Sequence, residues 1–226
     1  MIRTILKNLP RLGVFLVALL PVLISGFLLR SMYTGEVNAI SEPIDIIRRG
    51  SYPFALIGHT LGGSAMLILG YLQFSNRIRT KFPKWHRWVG RGLVAAGGYL
   101  ALSGLWMNLS TKPQYDSWLH DTAQNIAAVG LLTVLGLGLY FIRSGNITKH
   151  RIWMMRAYAI SLGAGTQTLL LLPVALIFGV PNGLLADLVF ISAWIVNLLV
   201  AEYLLRKSSR HGIVWRIRKS VTSSGS

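Results

Sequence analysis

Six stretches of this chain are apolar for long enough to cross a hydrocarbon core of roughly 30 Å. They lie at about 13–30, 53–75, 89–109, 118–142, 152–178 and 183–205. A chain of 226 residues cannot hide six such runs inside one water-soluble core. Only 13% of its residues are charged, about half the share in a soluble domain. Lipid is therefore the expected solvent. A backbone in lipid must bond to itself, and runs of this length do so as helices. The predicted fold is all-α: a polytopic membrane protein of six transmembrane helices, with a four-helix core formed by spans two to five. Residues 1–222 are read as one transmembrane domain.

The start of the chain is basic and then apolar, as in a signal peptide. Its apolar stretch is long for one, and no A-x-A cleavage site follows, so a retained first span is expected. Residues 206–222 form a basic tail with interleaved apolar residues, suited to an anionic membrane surface. The closing Ser223, Ser224, Gly225 and Ser226 read as a cloning scar.

Charge predicts orientation. Put the N-terminus in the cytoplasm, and 19 of the 23 Lys and Arg fall on the cytoplasmic side. The exceptions are Arg30, Arg48, Arg49 and Lys112. Six of the seven acidic residues fall opposite (Glu36, Glu42, Asp45, Asp116, Asp121 and Asp187), leaving Glu202 inside. Such asymmetry marks a protein with both termini in the cytoplasm and an even span count. A bacterial inner membrane is the expected location. The net charge of +16 follows from this topology and not from nucleic-acid binding, for which no recognition element is visible. The chain has no cysteine, which excludes disulfides and thiolate sites. It also lacks H-E-x-x-H, P-loop and G-x-S-x-G motifs, so hydrolysis and ATP-driven transport find no support.

The chemistry-bearing feature is a set of histidines. His59, His86, His120 and His150 sit one to a helix on spans two to five. Following the chain through the bilayer, His59 and His120 share the outer half, and His86 and His150 share the inner half. Haem iron takes imidazole nitrogens from opposite faces of its ring. Ligands of a four-helix bundle project inward from facing helices. The pattern suits two bis-histidine haems, stacked as a transmembrane electron path. A weak repeat supports it: 27 residues separate His59 from His86, and 30 separate His120 from His150. Basic residues beside the inner pair, Arg87, Arg91, Arg151 and Arg156, could clasp haem propionates bidentately. Gln73 could contact a haem edge or a quinone. Gln124, Asn125, Gln167 and Asn197 are expected to tie helices together. Asp121 suits the start of span four through the helix dipole.

This four-histidine pattern on spans two to five of six resembles the transmembrane di-haem cytochrome b-561 family. The resemblance implies that His59 and His120 hold one haem b, and His86 and His150 the other. The segments HTLGGSAMLILGYLQF from His59, KWHRWVGR around His86 and KHRIWMMRAYA around His150 also resemble a bacterial family of predicted membrane proteins of unassigned function. That local likeness covers roughly residues 55 to 165.

The resulting expectation is a b-type di-haem membrane cytochrome, a transmembrane oxidoreductase moving electrons from a quinol, ascorbate-like or cytoplasmic donor to an acceptor on the other face. Its partners would be the bilayer and a small-molecule electron donor, and a homodimer is compatible with the sequence. A single haem on either pair is the smaller version of this reading. The alternative is a non-redox membrane transporter, or a lipid- or partner-binding subunit, with interfacial or proton-relay histidines.

Overall fold

The computed structural model describes residues 2–34, 53–110, 117–179 and 183–223. Among these residues all regular structure is helical, and the chain is a multi-pass membrane protein. Span one is Ile2–Thr34, with its apolar part at Gly13–Gly26. Span two is Pro53–Gln73, span three Pro83–Ser110 and span four Trp118–Arg143. Span five runs as two helices, Ile147–Ser161 and Gly163–Phe178, joined at Leu162. Span six begins at Gly183 and continues as helix to Ser223, so the basic tail extends the last span. A short helix, Asn76–Lys81, links spans two and three.

Two helix starts matter for function. Span three was expected from residue 89, but its helix begins at Pro83, where proline suits a first turn. The added turns carry His86 on regular helix. Span four begins behind Ser117, whose hydroxyl accepts the backbone N–H of His120. Asp121 follows in the first turn, where a carboxylate suits the dipole. Much of the acidic side of the charge pattern (Glu36, Glu42, Asp45, Asp116) lies outside the described residues.

Spans two, three, four and five form a ring in which each packs on the next, and span five closes onto span two. Spans two and four therefore stand on one diagonal, and spans three and five on the other. Span one lies against spans two and five, and span six against spans four and five. The middle of the ring is filled by Ala101, Leu131, Val134, Leu135 and Ala157. Large apolar side chains such as Leu102, Ile126, Leu172 and Leu199 face outward, as lipid allows.

Close packing and polar ties hold helices together in lipid, where apolar burial supplies little. Gly62 lets span three approach until an added Cβ would stand 2.9 Å from the Ala96 carbonyl oxygen. At Gly165 an added Cβ would overlap the Val17 carbonyl oxygen of span one. The Tyr158 hydroxyl donates to the Leu67 carbonyl across spans five and two at 3.2 Å. Asn108 donates to Asn125 at 2.9 Å, Thr166 to Asn197 at 2.9 Å, and Gln167 to the Phe190 carbonyl at 3.3 Å. Each such bond is worth about 0.6 kcal/mol on average in a membrane.

Candidate functional site

The four histidines fall at two levels of the ring, and all are half-buried. Their side-chain partners decide what each can do.

His150 lies in the first turn of span five, which Asn146 caps through the Lys149 N–H. Its Nδ1 stands 2.8 Å from the Gly138 carbonyl oxygen of span four. A carbonyl only accepts, so Nδ1 carries the proton and Nε2 is left as the basic nitrogen. Gly138 permits this approach: an added Cβ would come within 2.7 Å of the Met154 sulfur and 3.9 Å of His150 Nδ1.

His86 lies one turn into span three, within Coulombic range of Arg79 and His150. Its Nδ1 is buried without a hydrogen-bond partner. Gln73, at the end of span two, lies beside Gly90, and its amide nitrogen is also buried without a partner. Unpaired buried polar atoms are few in native proteins and call for an explanation. Here two of them, one on His86 itself and one on Gln73 beside Gly90, lie at the same end of the ring.

His59 sits two turns into span two, against span three. A Cβ on Gly104 would meet its ring at 3.2 Å. Its Nδ1 stands 3.1 Å from Ser103 Oγ. The Ser103 hydroxyl proton is already committed to the Tyr99 carbonyl at 2.7 Å, with the Leu100 carbonyl at 3.1 Å. Ser103 therefore accepts from His59 Nδ1–H, and Nε2 is again the basic nitrogen.

His120 faces span six. Its Nδ1 stands 3.5 Å from an Asp187 carboxylate oxygen, and its ring packs edge-on against Phe190. Its Nε2 accepts from the Gln124 amide, one turn further along the same helix. Asp187 is only 4% exposed, and its other oxygen accepts from the Ser117 hydroxyl. The expected pairs therefore differ. His86 and His150 lie within Coulombic range of each other, whereas His59 and His120 are held by different neighbours, spans three and six.

Two of the four imidazoles, His59 and His150, thus share one tautomer, Nδ1 tied to an oxygen acceptor and Nε2 basic, and His120 turns its Nδ1 toward a carboxylate. Metal-ligating histidines are oriented in this way. Among the described residues no group of three or more His, Asp and Glu could hold a bare metal ion. A haem asks less of the protein, two axial donors.

The four arginines separate. Arg87 and Arg151 are exposed at the basic end, and Arg91 lies over Trp88 at 5.0 Å. Arg156 is committed to span six: its Nε donates to Glu202 Oε1 at 2.6 Å, and its guanidinium lies over Trp153 at 4.4 Å.

The motifs around these histidines sit inside a stretch, residues 56–205, that matches the family model "Predicted membrane protein (DUF2306)". The chain belongs to the DUF2306 family. The match begins in span two and ends in span six, so all four histidines of this DUF2306 protein lie within it. No curated protein and no solved structure matches the chain.

Sequence reasoning missed three partners. Asp187 was counted as an outer-face charge, although an ionisable residue inside a span is a functional candidate by default. Ser103 and the Gly138 carbonyl carry no local signal, because their role depends on helix rotation.

Proposed function

We propose that this DUF2306 protein is a b-type membrane cytochrome with one haem at each end of its four-helix ring, built on the plan of the cytochrome b-561 family. The observation that carries the reading is the tautomer shared by His59 and His150, which leaves the ligating nitrogen basic on both. The residues at the basic end suit such a group: His86 and His150 stand on one diagonal within Coulombic range, and the buried nitrogens of His86 and Gln73 lack partners there. When bound, a haem would supply a one-electron carrier at each level. Everything else falls to the chain.

His86 and His150 would hold the group at the basic end, and His59 and His120 the one at the other end, where His120 is turned toward span six. The Gly138 carbonyl and Ser103 hydroxyl hold His150 and His59 in one orientation and make each a stronger donor. Gln73 would hydrogen-bond a haem edge or a quinone. Arg87, Arg91 and Arg151 would neutralise propionates at the basic end and favour the reduced state there, whereas Arg156 serves span six. The apolar layer of Ala101, Leu131, Val134, Leu135 and Ala157 keeps water from the region between the two levels.

The basic end would face the cytoplasm of a bacterium, with the protein in the inner membrane. Electrons would pass between a quinol, ascorbate-like or cytoplasmic donor and an acceptor on the opposite face. A second reading, proton transport without redox chemistry, draws on one observation: a buried carboxylate beside an imidazole, Asp187 and His120.

His59→Ala separates the two. The cytochrome reading expects the α-band of a reduced-minus-oxidised spectrum to fall by about half, since one of two levels loses an axial ligand. The transport reading expects no haem signal to lose and an altered proton flux in vesicles.

A further inference from the structure

Between spans two and three the chain runs through Arg77, Arg79, Lys81, Lys84, Arg87 and Arg91 with no acidic residue among them. Among the described residues the basic end holds one carboxylate, Glu202, and Arg156 takes it. Arg79 turns back to donate to the Asn76 side chain at 2.7 Å, whereas Arg77, Lys81 and Lys84 are exposed. Arg77 and Lys81 stand one turn apart on one face of the helix Asn76–Lys81, a like-charge spacing that disfavours a helix on its own. That helix buries no residue, and six residues are too few to be stable alone. Neither packing nor charge within the fold holds it, and an anionic surface outside the fold would supply both.

The residue order says which anion. Cation and aromatic alternate three times, as Lys81-Phe82, Lys84-Trp85 and Arg87-Trp88. A spacing of three on span three keeps Lys84 beside Arg87 and Trp85 beside Trp88, so a charged and an aromatic stripe run side by side. Phe82, Trp85 and Trp88 are 59%, 38% and 70% exposed. A soluble polyanion gives three large rings nothing to bury them. A membrane interface does: rings settle at headgroup level, and Lys and Arg stems reach past them to phosphates. The segment stands at that level, between the ends of two spans.

We propose that residues 77–88 form a binding surface for anionic phospholipids, in which Arg77, Lys81 and Lys84 take headgroup phosphates and Phe82, Trp85 and Trp88 sit among the upper acyl carbons. The surface acts whether or not a haem is bound. It also goes beyond setting topology, because cations that only steer insertion have no headgroup preference once the protein is in place.

The test uses the full chain reconstituted in phosphatidylcholine vesicles that carry a minor share of a lipid brominated on its acyl chains. Bromine quenches tryptophan fluorescence on contact, so the headgroup that gathers at the protein quenches more. The proposal expects brominated phosphatidylglycerol to quench more than brominated phosphatidylcholine at equal share. Arg77→Gln/Lys81→Gln/Lys84→Gln should lower that preference about fivefold or more, since one cation near an anionic leaflet is worth about a factor of five. The remaining cytoplasmic cations hold the topology. Arg77→Lys/Lys81→Arg/Lys84→Arg should keep the preference. So should the control Arg143→Gln/Lys149→Gln, which removes exposed cations of the next cytoplasmic turn. Should the triple variant not assemble, Arg77→Gln/Lys81→Gln, confined to a helix that buries no residue, should show a smaller loss in the same direction. Equal quenching by the two lipids in the wild type, equal loss in the Arg143/Lys149 control, or displacement by inorganic phosphate but not by chloride of equal ionic strength would overturn the proposal.

Discussion

Replacing His86 or His150 with alanine is expected to halve the haem carried by the protein. Each is one of two donors at the basic end, and a bis-histidine site that loses one imidazole loses its low-spin signature and most of its affinity. His86 gives the cleaner experiment. Its Nδ1 makes no hydrogen bond in the fold. Removing a buried polar atom that has no partner costs a protein little and can stabilise it. A purely structural His86 would therefore be silent in the spectrum and neutral or favourable in thermal unfolding. His150→Ala also frees the Gly138 carbonyl, a loss of about 1 kcal/mol for one hydrogen bond. Both variants should assemble, and a haemochrome assay with the difference spectrum reads the outcome. Full haem content in both would remove the basic-end site.

The second large effect is expected at Gly165. Its neighbour across the helix contact is not a side chain that can swing away but the backbone carbonyl of Val17 in span one. Gly165→Leu forces spans one and five apart, and overpacking of this kind typically costs about 1–3 kcal/mol, or about 2 to 12 °C in Tm for a chain of this size. Gly136→Leu is the matched control, because an added Cβ there meets nothing within 4 Å. Thermal unfolding in detergent should show a fall of about 5 °C or more for the first and almost none for the second. Equal effects would mean that the close approach of spans one and five carries no stability.

These two sites mark what the sequence can and cannot convey. Span number and placement are legible because apolar length is a one-dimensional quantity. The ring of spans two to five also follows, since short loops make consecutive helices neighbours. Helix ends are less legible. The KWHRWVGR segment is too polar for a hydropathy boundary, yet it is helical from Pro83 because the helix outruns the apolar layer. The glycines show the same dependence on packing. Gly62 accepts the backbone of span three, and Gly104, 45 residues from His59, is the glycine that meets its ring.

The histidines themselves were legible, but their partners were not. Ser103 is 44 residues from His59 and Asp187 lies in span six, 67 residues from His120. Such pairings depend on how each helix is rotated about its axis, and a weak amphipathic pattern in lipid does not fix that rotation. Arg156 shows the same limit. Its place six residues beyond His150 suggested a propionate, yet Glu202 of span six takes its guanidinium.

The central claim is that imidazoles at two levels of the ring grip haem iron. A pyridine haemochrome assay on protein purified in mild detergent, from cells supplied with ample haem precursor, measures this directly. The account predicts two b-type haems per chain and a reduced spectrum with a split α-band. A colourless preparation of folded protein would contradict it.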